Sequence, residues 1–360
     1  MKKCVCPINV LFIIFCGILV SWVILHNCKK PVKTNTVKLQ ESSYFSDCLY
    51  IPVTINERIY PFVFDTGSSV NVIDSGFAQK IGFSPDGDFF KSLKRFSNQI
   101  RQDTISYSNQ KISIGNFQFN EVFFLNGYKG LVVDDIEYMK KYKAIMGMET
   151  IGQLNWLFNF SDNTVTFSKD IITIPTLPDE QILTLDFYTK NGITCMNLTM
   201  DGILIRNVGF DTGYDNTNVQ FGNKFESFDI VFSKSDMETL TSNNKMSNAL
   251  IFPAVIENFG NAYFLDSMKI NDYKMQGIFA FVNNDYDQTL ITVNFVRRFR
   301  MMYFDSLNKK IHLYVSPSDS VRSQKKELQI YRRRLIQLKK ESNGNAFEIP
   351  SSLIDSIWSN

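Results

Sequence analysis

Along most of the chain, apolar and polar residues alternate in short runs broken by Asn, Asp, Gly and Ser. A two-residue period lays the apolar side chains along one face of a strand, so these Val-, Ile-, Phe- and Tyr-rich runs predict β-structure. CLYIPVTINERIYPFVFDTG (48–67) holds two such runs around Asn56-Glu57 and predicts a β-hairpin. TCMNLTMDGILIRNVGFDTG (194–213) predicts a second, with Asp201-Gly202 as a strong two-residue turn signal. Each hairpin delivers the chain into Phe-Asp-Thr-Gly.

The two aspartates of those motifs, Asp65 and Asp211, define an offset that recurs elsewhere. Shifting KAIMGMETIGQLNWLFNFSDNTVTF by the same 146 positions lands without a gap on TLITVNFVRRFRMMYFDSLNKKIHL. Ile145 then meets Ile291, Phe158 meets Phe304, Asn159 meets Asp305, Val165 meets Ile311 and Phe167 meets Leu313. One offset shared by two separate segments indicates a duplicated unit. The predicted organisation is an N-terminal lobe over 46–170, the connector IPTLPDE, and a C-terminal lobe over 181–315, mainly β with few long helices.

The ends of the chain differ from this pattern. Residues 8–25 form an apolar run without a charge, preceded by Lys2 and Lys3, which predicts a signal sequence or membrane anchor over 1–28. Cys28-Lys29-Lys30 resembles the start of a mature bacterial lipoprotein, although Asn27 stands where that signal has a small residue. Retention as an anchor, cleavage and lipidation stay open, and all three place the remainder outside the cytoplasm, at the cell envelope. Residues 29–45 read as a polar tether. Over 319–342, Leu328, Tyr331, Leu335 and Leu338 fall on one face of a basic amphipathic helix, followed by a tail over 343–360.

Composition narrows the chemistry. A net charge of +2 over 360 residues gives no basis for nucleic-acid binding, and a monomer is expected. Four of the six cysteines lie in or beside the N-terminal run, leaving Cys48 and Cys195 in the globular part, bridged or free. With only His26 and His312, a Ser-His-Asp or Cys-His mechanism would rest on His312 alone, so carboxylates are the better acid-base candidates. No metal or organic cofactor is expected.

Two aspartates held within about 3 Å cannot both ionise, so they share one proton and act together as base and acid. That suffices to activate water and protonate a departing amide. Two lobes about a pseudo-twofold axis bring one Asp from each to that axis, which accounts for the motif's appearing twice. Gly67 and Gly213 permit a tight turn and close backbone approach.

The apolar-apolar-Asp-Thr-Gly-Ser of 63–68, with Ile145-Met146-Gly147, resembles the pepsin-like and retropepsin-like aspartic proteases over about 46–315. IMGMETIGQLNWLFNF and the Asn-, Lys-, Ile- and Phe-rich composition resemble the two-lobed aspartyl proteases of Bacteroides-type bacteria. The resemblance implies an all-β acid-protease fold of two β-barrel lobes and hydrolysis of peptide or protein substrates, with Asp65 and Asp211 as the catalytic pair. It gives Thr66 and Thr212 a cross-lobe hydrogen-bonding role and Ser68 a hydrogen bond to Asp65.

Lobe two departs from the family. Tyr214 and Asp215 replace the equivalents of Ser68 and Ser69, and Gly147 maps onto Val293, whose β-branched side chain requires the strand crossing to open or be rebuilt. These departures motivate an alternative, a catalytically impaired relative that holds peptides or a partner in its cleft. The flap is expected at about 96–107, with Tyr107 a strand residue. KISIGNFQF reads as one strand, Trp156 and Phe158 as core, and Arg297, Arg298 and Arg300 as a solvated helical turn.

Overall fold

In the computed structural model, residues 34–39, 48–94, 100–126, 143–214, 220–221, 224–225, 228–247, 249–252, 259–315 and 347–348 are described. The N-terminal half contains β1 (Asn35–Lys38), β2 (Tyr50–Ile55), β3 (Arg58–Phe64), β4 (Asn71–Ile73), helix α1 (Ser75–Lys80), β5 (Gly87–Lys94), β6 (Ile100–Ile114) and β7 (Phe117–Asn126). It continues with β8 (Ala144–Met146), helix α2 (Met148–Ile151), β9 (Asn155–Asn159) and β10 (Thr164–Ser168). The C-terminal half opens with β11 (Ile182–Lys190), β12 (Ile193–Met200), β13 (Ile203–Asp211), β14 (Gln220–Phe221), β15 (Lys224–Phe225), β16 (Ile230–Ser233) and helix α3 (Lys234–Ser242). After it come β17 (Leu250–Phe252), β18 (Phe259–Ile270), β19 (Tyr273–Asn283), β20 (Leu290–Thr292) and helix α4 (Val293–Val296). The last strands are β21 (Met301–Asp305), β22 (Lys310–Tyr314) and β23 (Phe347–Glu348).

Both predicted hairpins form. Asn56 and Glu57 have φ of 48° and 64°, and Asp201 and Gly202 have φ of 47° and 87°. Left-handed backbone at both central positions matches the twist of the flanking strands. β2 and β3 pair in register from Tyr50↔Val63 to Ile55↔Arg58, and β12 and β13 pair from Cys195↔Gly209 to Met200↔Ile203 around a bulge.

The strands of the first half run β2-β3-β8-β4-β7-β6, and the pairing of Thr54 with Ser113 closes them into a barrel. Those of the second run β12-β13-β20-β16-β19-β18, closed by Met200 with Ile270. The two orders are the same order. At 146 positions' shift β8, β9 and β10 fall on β20, β21 and β22. The fold is therefore all-β and consistent with a retropepsin-like architecture.

A third sheet, β1-β10-β9-β21-β22-β11, joins the halves. At its centre Leu157 faces Tyr303, two residues that are themselves equivalents in the repeat, so the pseudo-twofold axis passes between them. Trp156 and Phe158 point into the shared core and are fully buried. Phe64, at the end of β3, meets both edge-on, with centroids at 5.2 and 4.8 Å, and reaches Phe304 of the other half at 6.4 Å. The strand that delivers Asp65 is thus seated on aromatic rings from both halves.

Several expectations change. Residues 35–38 are not tether but β1, an edge strand that runs antiparallel to β10 with Leu39 buried behind it. KISIGNFQF is two strands, β6 and β7, turning at Gly115 (φ 52°). Of the expected flap region, residues 100–107 lie in β6, which pairs with β5 from Gly87↔Tyr107 to Lys94↔Ile100, and residues 96–99 lie outside the described residues. In β6 Tyr107 is a strand residue stacked on Phe123 at 5.5 Å.

The arginines are not a solvated face. Arg298 meets the fully buried Asp229 at 3.0 Å, Arg300 grips Glu180 through two bonds of 2.7 and 2.8 Å, and Arg297 donates to the Cys48 carbonyl at 3.1 Å. Their partners are far away in sequence, so the local helical pattern carried no trace of them. The apolar run of 8–25 and the basic helix of 319–342 lie outside the described residues. Among the described residues, no helix is long and apolar enough to cross a membrane.

Candidate active site

β3 and β13 run toward each other and end at the two Asp-Thr-Gly turns. Each turn is held from behind by a short parallel strand. Val63 and Phe64 pair with Ile145 and Met146, while Phe210 and Asp211 pair with Ile291 and Thr292. The Asp65 amide also donates to the Met146 carbonyl at 3.0 Å.

Within each turn the carboxylate accepts from the backbone. Gly67 N–H donates to Asp65 Oδ1 at 2.8 Å, and Gly213 N–H donates to Asp211 Oδ1 at 3.0 Å. The amides of Ser68 and Tyr214 add a further bond each. The two carboxyl groups hydrogen-bond to one another.

The glycines explain how they come so close. A Cβ on Gly67 would lie 2.3 Å from Asp211 Cγ, and a Cβ on Gly213 would lie 2.2 Å from Asp65 Cγ. Each carboxyl rests on the bare backbone of the opposite lobe, where any side chain would displace it.

Burial raises both acids. Asp65 is pushed up to about 6, chiefly by desolvation, with the Gly67 amide, its bond to Asp211 and the Ser68 amide pulling the other way. Asp211 is raised well above the ordinary carboxylate value by desolvation first, then by the charge of Asp65 and the bond between them. Two acids this close cannot readily both ionise, so the pair titrates as a unit.

Thr66 and Thr212 are fully buried beneath the pair. Thr66 Oγ1 donates to the Phe210 carbonyl and Thr212 Oγ1 to the Phe64 carbonyl, both at 2.6 Å. Thr212 N–H donates to Thr66 Oγ1 at 3.1 Å, and Thr66 N–H to Thr212 Oγ1 at 3.2 Å. Each hydroxyl receives from the opposite loop and gives to the opposite strand, so neither loop can shift alone.

Ser68 departs from the expectation. Its hydroxyl donates to the Val70 carbonyl at 2.8 Å. Its single proton is committed there, so the residue reaches Asp65 through its amide. Cys48 and Cys195 are both buried and are not bridged to each other. The Cys48 thiol packs under the lobe-two loop, 3.6 Å from the Gly213 carbonyl. His312 lies on the connecting sheet, bonded to Thr184 at 2.9 Å and stacked on Tyr303, not at the paired acids. Asp215 lies outside the described residues.

The crossing behind each loop is built differently in the two halves. In the first, Gly147 N–H donates to Asn71 Oδ1 at 3.0 Å, and a Cβ at Gly147 would meet the Val70 carbonyl oxygen at 2.2 Å. In the second, strand register places Phe228 and Asp229 where Val70 and Asn71 stand. The Phe228 carbonyl accepts the Thr292 hydroxyl, while the Val293 side chain turns into the core and is 1% exposed. A threonine hydroxyl thus bonds the carbonyl whose lobe-one counterpart abuts bare glycine backbone. Asp229 accepts from Phe279 N–H at 2.9 Å and pairs with Arg298.

Asn71, Asp229 and Thr292 escaped the sequence reading. The available signal was the similarity of VNVIDS at 70–75 to FDIVFS at 228–233, hidden because the constant offset fails between Gly213 and Phe228.

No match is found among curated proteins. A family model described as aspartyl protease matches residues 51–149. The chain is therefore similar to the aspartyl protease family over the stretch that carries Asp65, Thr66, Gly67 and the crossing at Gly147, and this supports a hydrolase at the level of the family.

Proposed function

We propose that the protein is an aspartic endopeptidase in which Asp65 and Asp211 activate one water molecule against a peptide bond. The observation that carries the reading is the reciprocal seating of each carboxyl on the other lobe's glycine, which makes the pair symmetric and forces its members to share a proton. The ionised carboxylate takes a proton from water as the oxygen attacks the carbonyl carbon, and the protonated carboxyl gives its proton to the carbonyl oxygen. Collapse of the resulting diol then passes a proton to the nitrogen as the C–N bond breaks. Thr66, Gly67, Ser68, Thr212 and Gly213 hold the two acids in position, and an extended peptide lies between the barrels by strand-like hydrogen bonding.

The pepsin-like, two-lobed form of the family, with a monomer acting on peptide or protein substrates, is the finer part of this reading. The equivalent barrel orders of the two halves support it. The N-terminal apolar run would hold the body at the outer face of a membrane. β1 begins at Asn35, and the nine residues between it and position 25 span at most about 32 Å. The enzyme would therefore work close to the bilayer.

A second reading, peptide holding without turnover, draws on Tyr214 in the place of a serine. One experiment separates the two. The full chain, purified in detergent, is incubated with a diverse peptide mixture across acid to neutral pH and read by mass spectrometry, beside Asp65→Asn and Asp211→Asn. Cleavage abolished by either substitution is the expected result. A folded wild type that cleaves nothing sinks the hydrolase reading.

A further inference from the structure

The pseudo-twofold axis makes Ser68 and Tyr214 counterparts, one residue beyond each glycine of the paired turns. On the lobe-one side the position carries a hydroxymethyl group that folds back on Val70. On the lobe-two side it carries a phenol ring.

That ring is pinned. It lies edge-on to Tyr286 with centroids 6.1 Å apart and an interplanar angle of 80°. Its hydroxyl hydrogen-bonds Tyr286 and Asn283. Tyr286 belongs to the turn between β19 and β20, and Asn283 ends β19 with 5% exposure. The turn is itself fixed, because Asn283 Oδ1 accepts from Asp285 N–H at 3.0 Å and its carbonyl accepts from Tyr286 N–H at 3.3 Å. Tyr214 and Tyr286 are half-buried, and the Tyr214 phenol is near enough to Asp211 to feel its charge. Burial first, then Tyr286 and Asp211, hold the Tyr214 phenol well above its ordinary value, and it stays a neutral surface throughout the working range.

We infer that Tyr214, braced by Tyr286, floors the substrate position over the lobe-two loop and restricts it to small side chains, while the position over Ser68 admits large ones. The substrate class is then a peptide that is asymmetric about its central bond, small on one flank and unrestricted on the other. This rests on the reading of the paired acids as a peptide site. It does not depend on turnover, because a pinned ring excludes bulk from a bound peptide as well as from a cleaved one. A phenol held by two hydrogen bonds and a ring contact cannot swing aside without breaking all three.

The test uses the full-length protein and a set of reduced-amide peptides with Ala or Phe at each residue flanking the uncleavable bond, measured by calorimetry. Wild type is expected to bind peptides with Phe on one flank at least tenfold more weakly than those with Ala there, with little effect on the other flank. Tyr214→Ser should bring that ratio within threefold, and Tyr214→Phe, which keeps the ring, should retain most of it. Should Tyr214→Ser fail to fold, Tyr286→Ala removes the brace and is expected to lower the same ratio. Equal affinities across the set, no binding of any peptide, or unchanged discrimination in a folded Tyr214→Ser would overturn the inference. A protein that discriminates without cleaving defeats the hydrolase reading alone, and one that cleaves without discriminating defeats this inference alone.

Discussion

The hydroxyl oxygens of Thr66 and Thr212 lie 3.3 Å apart at the boundary between the barrels. Each is bonded to both the loop and the strand of the other half, so the pair is a symmetric clasp. Thr66→Val and Thr212→Val keep the shape and remove the hydroxyl, leaving a buried carbonyl and a buried amide without their partner. Each is expected to cost roughly 2–3 kcal/mol in urea unfolding, with the two losses similar in size. Because the hydroxyls act as one unit, the double variant should cost clearly less than the two losses together.

The raised acids make stability depend on pH in a definite direction. Asp65 binds its proton up to about 6 in the folded protein, against 3.8 for an ordinary side chain, and Asp211 is displaced in the same direction. Between those values the folded state holds more protons than the unfolded one, so stability falls as pH rises from about 4 through 6. The favourable contribution is complete below the unfolded value and is lost above the folded one. Asp65→Asn and Asp211→Asn should each flatten this slope and be more stable than wild type at neutral pH, as read by thermal melts at pH 4, 6 and 8. If the proposed chemistry holds, the rate should rise as pH passes about 6, where the first proton leaves the pair, and fall when the second is lost.

Equivalent positions need not tolerate equivalent changes. Gly147→Val drives a side chain into the Val70 carbonyl and should lose at least about 3 kcal/mol or prevent folding. Val293→Ala removes two methyl groups from a core site whose crossing is held by Thr292, and should cost about 1–3 kcal/mol. Denaturation midpoints of the two variants compare them directly. Similar losses would mean that the crossings are alike after all.

Arg298→Met strands the buried carboxylate of Asp229 and should cost about 3–5 kcal/mol. Asp229→Asn in the same chain recreates the residue that lobe one has at this place, Asn71, and is expected to recover most of that loss. Urea unfolding of the single and double variants measures the recovery.

The outline of the fold was legible because it was written twice. Turn residues at 56–57 and 201–202 marked both hairpins, and one offset linking Ile145 to Ile291 and Phe158 to Phe304 marked the duplicated strands, whereas the sheet that joins the halves left no comparable mark. What escaped was long-range and broken the symmetry. Asp229 and Glu180 stand 69 and 120 positions from their arginines, and no local period encodes such a partner. β1 looked like linker because four residues at a sheet edge need only one neighbour, and β10 lies 130 positions away. The crossing in lobe two could be read as a defect from Val293 alone, since the compensating contact belongs to Thr292, one residue earlier.

The sheet that joins the halves also orders events during synthesis. The first barrel can close as soon as β8 has emerged, but β9 pairs on one side with β21, whose register begins at Met301↔Asn159. Until that distant strand arrives, a nascent or truncated first half carries a bare hydrogen-bonding edge next to Trp156 and Phe158. Such an edge accepts any strand that presents itself, including β9 of another copy. The same adjacency that seats the two acids on one axis therefore makes the half-made protein dependent on rapid completion or on protection while it waits.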